Sequence, residues 1–321
     1  MARVFVTCRV LPDILDRLRQ AGHEVAARDA PGPIPREELL CGVRGADGLL
    51  CLLSDRIDAP VIRAGTSLRI IANLGVGTDN IDVRMARAAE ITVTNTPGAL
   101  TEATADLTFA LLLAAARRLV EGDAHVRSGA FVGWELLQPH LGLDVRGKTL
   151  GIVGLGRIGR AVARRGRFGF DMPVLYANRR PDPEAEAELG AHHVPFRTLL
   201  AESDFVCVHV PLTPETRHLF NREAFDAMKR TAILVNVARG PVVDEEALVW
   251  ALETGRIAGA GLDVYEREPE VHPGLLVLRE RVVLAPHIGS GTVGTRRALA
   301  EIAVANVLAV LAGEPPLNPV G

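Results

Sequence analysis

The sequence lacks the features that would place it among binding proteins of extreme charge, secreted frameworks or membrane proteins. Its 321 residues carry a formal net charge of only −3. Nothing in that balance argues for nucleic acid or for a strongly charged protein surface as a partner. The four cysteines, Cys8, Cys41, Cys51 and Cys207, show no CxxC spacing. They lie mostly in or beside apolar runs, where a free thiol behaves as a small hydrophobe. A reducing compartment, the cytoplasm, is the expectation. No apolar run is long enough to span a bilayer. The longest, LTFALLLAAARRLV (107–120), is interrupted by Arg117 and Arg118. The opening MARVFVTCRVLPDILDRLRQAG meets a proline and acids within a few positions, so no secretory leader is expected. Low-complexity segments and fixed-period repeats are also missing.

What is present is globular composition, 48% hydrophobic and 23% charged, over a length that suits two domains of ordinary size. Short apolar runs alternate with helix-period segments, which predicts parallel sheets covered by helices. The first set of strands reads RVFVTC (3–8), HEVAA (23–27), DGLLCLL (47–53), LRIIANLG (68–75) and ITVTNT (91–96), with four helical crossovers. A long apolar helix is predicted from about Thr101 to Gly122, with acids in its early turns as the helix dipole prefers. A Gly- and Trp-containing connection (129–148) leads to a second set: TLGIVG, MPVLYAN, HHVPF, DFVCVHVPL, TAILVNVA, IAGAGLDV and RVVLAPH. The segment 291–316 is expected to be helical as far as Gly313. Composition alone suggests a single cut near residue 145.

GLGRIG (154–159) fits GxGxxG, a weak signal by itself. Here a buried-looking strand precedes it, and a helix and another strand follow, which is the setting a dinucleotide fingerprint requires. Gly154 permits the tight turn, Gly156 lets backbone approach a pyrophosphate, and Gly159 lets helix pack on strand. The N–H groups of the following helix then face the phosphates. About 20 residues beyond Gly159, where an acid would accept from the ribose 2′-OH, stands Asn178, followed by Arg179 and Arg180. A carboxylate there would repel a 2′-phosphate, whereas guanidinium forks suit one. NADP(H) is therefore the preferred coenzyme and NAD(H) the alternative; the bland alternative is a solvated charged turn. His192, His193 and His209 have no third ligand at metal spacing, and no metal is expected.

Three further places follow strands at the end where open α/β sheets bind ligands. They are Arg239 in NVARGPVVDEEAL, Asp263 and Glu268 in GLDVYEREP, and His287 in PHIGS. Together with NLGVGTDNID, NTPGALTEATADL and VHVPLTPET, these motifs resemble the D-isomer-specific 2-hydroxyacid dehydrogenases over nearly the whole chain and in the right order. Asn178-Arg179-Arg180 and the linker with Trp134 look most like the glyoxylate/hydroxypyruvate reductases within that family.

The resemblance implies an α/β protein of two Rossmann-like or flavodoxin-like domains with parallel sheets and an interdomain cleft. The substrate-binding domain would be discontinuous, 1–98 and 288–321, around a dinucleotide-binding domain at 99–287. Arg239 would bind the 2-keto acid carboxylate and polarise the carbonyl. His287, whose imidazole has an intrinsic pKa near ~6.5, would be the general acid/base, and Glu268 would hold it. Leu53, Val76, Gly77 and Trp134 would contact substrate along with Arg239 and His287. The coenzyme would touch Gly154, Leu155, Gly156, Arg157, Ile158, Asn178, Arg179, Arg180, Pro211, Thr216, Val237, Ala238, Arg239, Asp263, His287 and Gly289. A homodimer is implied, joined through the helix at 101–121 and the loop through Trp134. The expected activity is NADPH-dependent reduction of glyoxylate and hydroxypyruvate. The alternatives are a dehydrogenase for another small acid (D-lactate, 3-phosphoglycerate, phosphite) and a non-catalytic NAD(H)-sensing protein of the same fold.

Overall fold

A parallel strand covered by helices on both faces needs consecutive rather than alternating apolar residues, and the short apolar runs of this chain form such strands. The computed structural model describes residues 1–320, in two units. The first takes Met1–Leu100 together with the chain from Thr292 onward. Its strands are β1 (Arg3–Val6), β2 (Glu24–Ala27), β3 (Gly48–Cys51), β4 (Ile70–Asn73) and β5 (Thr92–Thr94). They pair in the order β2-β1-β3-β4-β5, all parallel.

Side chains of β1 divide between two layers. Val4 and Val6 pack with Ile14, Leu18, Val304 and Val307 of the helices Pro12–Gln20 and Val293–Leu311. Phe5 packs on the other side with Val43, Val61 and Ile62. Burying each such side chain fully is worth about 1.5–3 kcal/mol over leaving it exposed. Asp58 and Asp82 cap the helices Ala59–Ala64 and Val83–Ala88 by accepting backbone N–H bonds. The guanidinium of Arg69 donates to the Val310 and Leu311 carbonyls, at 2.8 and 3.2 Å, and so satisfies the end of the last helix.

The second unit is Thr101–Gly291. Its strands are β6 (Leu150–Val153), β7 (Val174–Ala177), β8 (His192–His193), β9 (Phe205–Val208), β10 (Ile233–Asn236), β11 (Gly259–Leu262) and β12 (Val282–Leu284). They are parallel in the order β12-β11-β10-β9-β6-β7-β8. From β6 the chain builds outward to β7 and β8, then returns to add β9 through β12 on the other side. The carboxyl ends of β6 and β9 therefore border a topological switch point, where such sheets bind ligands.

The helix predicted from Thr101 to Gly122 is two helices, Thr101–Ala116 and Leu119–Arg127, with Arg118 between them in the left-handed region at φ 51°. The cause lies far along the chain. Leu143 N–H donates to the Ala116 carbonyl at 2.7 Å, and Gly142 passes so close that any side chain there would collide with that oxygen. The carbonyl is thus spent outside the helix. No helix among the described residues is long and apolar enough to cross a membrane. All four cysteines are free, and burial pushes the thiols of Cys8, Cys51 and Cys207 up, away from reactivity.

Candidate functional site

The glycine loop lies between β6 and the helix Arg157–Gly169. Its three glycines answer to different constraints. Gly154 has φ 98° and sits 2.8 Å, measured from where a Cβ would be, from the His209 backbone after β9. A Cβ on Gly159 would run into the Gly154 carbonyl. Gly156 is different: a Cβ there would meet nothing within 4 Å, and its φ of −87° suits any residue. The protein's own packing gives no reason for a glycine at 156, but close approach of an external pyrophosphate does. Gly156 also caps the helix without contributing a side-chain acceptor, so the first turn, with Arg157 and Ile158, keeps its N–H groups for an anion. The cradle fits a dinucleotide. Gly156→Ala is expected to raise the coenzyme Kd about tenfold, as backbone approach is lost, with the thermal midpoint unchanged. Tight coenzyme binding by this variant would show that the loop is only a turn.

Burial drives the His209 imidazole down to about 3, so it is neutral beneath this loop. Asn178, at the end of β7, does not face outward as a free side chain. Its Oδ1 accepts from Leu155 N–H at 2.7 Å and ties the strand end to the glycine loop. Arg179 and Arg180 are exposed, and neither makes a side-chain hydrogen bond or ion pair with a described residue. The nearby Asp182 is already committed to Arg160 at 2.5 Å and to capping the helix Pro183–Leu189. The Arg160 hydrogen bond holds its carboxyl below the usual range. Thr216 closes its own turn, donating to the Pro211 carbonyl at 2.7 Å. His193 bonds the Asn178 carbonyl at 3.0 Å. Among the described residues no His, Cys, Asp and Glu group suits a metal.

Strands β10, β11 and β12 carry the other polar groups on their carboxyl ends. Asn236 ends β10 and braces the turn after it: Oδ1 accepts from Ala238 N–H and Nδ2 donates to the Arg239 carbonyl, both at 3.0 Å. Val237 and Ala238 thus lead into Arg239, whose Nη1 donates to the Ala238 carbonyl at 2.8 Å. Gly240 follows because the turn lies directly on the Tyr265 backbone, where a Cβ would collide. Asp263, 1% exposed, ends β11. Its two oxygens accept from Ile288 and Gly289 N–H at 2.7 and 2.8 Å, and its carbonyl accepts from His287 N–H at 2.8 Å. Burial pushes this carboxyl up despite those bonds. Asp263 therefore shapes the turn that carries His287, and His287 itself sits in the left-handed region at φ 54°.

Glu268 meets His287 at 2.8 Å, Oε2 to Nδ1, and its Oε1 accepts from Tyr265 N–H at 3.1 Å. Burial acts to raise the Glu268 pKa. The bond and charge of His287, the Tyr265 N–H and the charge of Arg239 outweigh it, and the carboxyl is held below its usual range. An ionised carboxylate can only accept, so Nδ1 carries the proton. Nε2 then points away from Glu268 with no described partner, free to exchange a proton with a substrate oxygen. The pair is about one-third exposed on each side.

In the first unit, the turn after β4 has its carbonyls tied inward. Gly75 O accepts from Thr96 N–H at 3.1 Å, Val76 O from Asn95 at 2.7 Å and Gly77 O from Asn73 at 2.6 Å. The Val76 and Gly77 N–H groups donate to no described residue. Leu53 packs on Gly75. Trp134 is 77% exposed within the linker. Sequence reasoning missed Asn73, Asn95 and Asn236, since an asparagine at a strand end carries no signal of what it will brace.

Residues 109–289 match the family model described as D-isomer specific 2-hydroxyacid dehydrogenase, NAD binding domain. A glyoxylate reductase of Thermococcus onnurineus is 51% identical over 318 residues, 98% of this chain and 94% of that one. That of Thermococcus kodakarensis is 52% identical over the same shares. Among solved structures, a protein of Thermus thermophilus superposes with a TM-score of 0.93 at 50% identity, over 99% of this chain and 100% of that one. An NADPH-dependent glyoxylate/hydroxypyruvate reductase of Sinorhizobium meliloti, in complex with NADP and malonate, gives a TM-score of 0.87 at 36% identity, over 100% and 97%.

Proposed function

The chain belongs to the D-isomer-specific 2-hydroxyacid dehydrogenases and is a nicotinamide-dependent oxidoreductase, and from that premise we propose that it reduces glyoxylate and hydroxypyruvate to glycolate and D-glycerate with NADPH. The observation that carries the chemistry is the Glu268–His287 pair, with Nε2 open, beside the braced Arg239 turn. A reduced nicotinamide held by the glycine loop would supply the hydride for the carbonyl carbon. Arg239 holds the substrate carboxylate through its guanidinium fork and polarises the carbonyl. His287 Nε2 gives its proton to the carbonyl oxygen, which becomes the hydroxyl of the product. Glu268 orients the ring and offsets the charge of the imidazolium.

The choice of substrate rests on the names of relatives at about half identity. The choice of coenzyme rests on the exposed Arg179 and Arg180, which make no side-chain hydrogen bond or ion pair with a described residue. Steady-state rates with NADPH and NADH against glyoxylate, hydroxypyruvate, pyruvate and phosphite test both. Equal or better kcat/KM with NADH would sink the coenzyme assignment. Failure to turn over any 2-keto acid would leave a binding protein.

The Val76 and Gly77 N–H groups are proposed to receive a substrate carboxylate. Asn95→Ala, which releases the Val76 carbonyl, is expected to raise KM for glyoxylate about tenfold, the loss of roughly one charge-assisted hydrogen bond. An unchanged KM would take this turn out of substrate binding.

A cytoplasmic homodimer completes the proposal. Phe131, Val132, Trp134, Leu136 and Leu137 are all more than half exposed, an apolar run that water disfavours. A hollow of about 600 Å³ in the same unit is lined by apolar Val120, Leu275, Leu276 and Leu284 and by charged or polar Glu121, His125, Arg279 and Glu280. Sedimentation at micromolar concentration is expected to give twice the chain mass of 34.4 kDa; a monomer there rejects the dimer.

A further inference from the structure

Outside the groups already assigned, one cluster of titratable side chains joins three site loops. His218 Nε2 meets Glu266 Oε1 at 2.6 Å, and Arg217 approaches the same oxygen at 3.5 Å. Glu266 and Glu245 exchange bonds: Glu266 N–H donates to Glu245 Oε1 at 2.9 Å, and Glu245 N–H donates to Glu266 Oε2 at 3.4 Å. Glu245 is 6% exposed and opens the helix Glu245–Glu253, just after the Arg239 turn. Glu266 stands two residues before Glu268. His218 follows the Pro211–Thr216 turn, sits in the left-handed region at φ 51°, and donates its N–H to the Pro241 carbonyl at 2.8 Å.

Such an arrangement is costly without a purpose. Two carboxylates approach each other in a mostly buried place, and a non-glycine residue is held at positive φ. What they gain is a link between the loop that bears Arg239, the loop that bears Glu268, and the turn of Pro211 and Thr216. We propose that His218, Glu266 and Glu245 are positioning residues that set the Arg239 turn at its working distance from the Glu268–His287 pair. They touch neither substrate nor coenzyme. They act through the backbone of Pro241 and Tyr265–Glu266, on which Gly240 is pressed. The inference rests on the reading of Arg239, Glu268 and His287 as the catalytic groups.

The test compares Glu266→Ala, Glu245→Ala and His218→Ala with Glu266→Gln, which keeps the shape and one acceptor. Misplacement by a fraction of an ångström costs up to ~10²-fold in rate. The alanine variants are therefore expected to lose about tenfold or more in kcat. KM for NADPH should stay within about twofold and Glu266→Gln should recover most of the rate, outcomes that general destabilisation would not give. Thermal midpoints, read in parallel, exclude unfolding. Unchanged kcat in Glu266→Ala and His218→Ala, with only a lowered midpoint, would overturn the proposal. If Glu266→Ala does not fold, His218→Ala and Glu245→Ala decide, and wild-type kcat in both would overturn it as well. The unaltered enzyme's own turnover reads the functional proposal separately, because the ratio of variant to unaltered kcat is taken with whichever 2-keto acid that enzyme reduces.

Discussion

His287→Ala is expected to lower kcat for glyoxylate reduction by about 10²–10⁴, the usual contribution of a positioned general acid, while KM for NADPH changes little. The reason is geometric. Glu268 engages Nδ1, which leaves Nε2 as the ring nitrogen to meet a carbonyl oxygen. A rate within about threefold of the unaltered enzyme would take His287 out of the acid role. Glu268→Gln is the companion. Because Glu268 is held below its usual range, its support for the imidazolium is present at and above the ordinary carboxylate pKa. That support is lost only as pH falls through the lowered value. The unaltered enzyme should thus keep its activity into mildly acidic buffer. Glu268→Gln, with no carboxylate to protonate, should lose rate at all pH values and lack that acid limb.

The second large effect concerns the coenzyme. Joint replacement of Arg179 and Arg180 by alanine is expected to cut kcat/KM for NADPH by about 10²-fold or more. Hydrogen bonds to a charged group are worth ~1.5–3 kcal/mol each, and ~1.4 kcal/mol is a decade. NADH, which has only a 2′-hydroxyl there, should be used within about threefold of its former efficiency. Both guanidinium groups are exposed with no described hydrogen-bond or ion-pair partner to lose, so stability should not move. Parallel losses with NADPH and NADH would mean that the pair does not read the 2′-phosphate. Asn178 is expected to behave differently. Its Oδ1 holds the glycine loop through Leu155, so Asn178→Ala should weaken both coenzymes alike.

The central strands were legible because they are runs of mostly apolar residues: FVCV and ILVN read as buried parallel strands without any contact being known. Gly154, Gly156 and Gly159 were legible as a loop, yet only the packing separates their reasons, since Gly154 and Gly159 answer to His209 and to the loop's own carbonyl while Gly156 answers to neither. The helix beginning at Thr101 was drawn too long because its stop is not local. Leu143 takes the Ala116 carbonyl from the far end of the linker, and no residue near Ala116 announces that.

The sequence by itself determined the element order, the parallel sheets, the dinucleotide loop and the presence of Arg239, Glu268 and His287 behind three strands. These follow from side-chain periodicity and glycine placement, which act over a few residues. Only the tertiary structure decided which backbone groups each polar side chain serves. It spent Asp263 on the His287 turn, Asn178 on the glycine loop, and Asn73 and Asn95 on the carbonyls of Gly77 and Val76. A polar side chain's role depends on whether a buried backbone group elsewhere needs it first, because an unpaired buried donor or acceptor costs more than a new contact returns. Which groups those are depends on pairings tens to hundreds of residues apart.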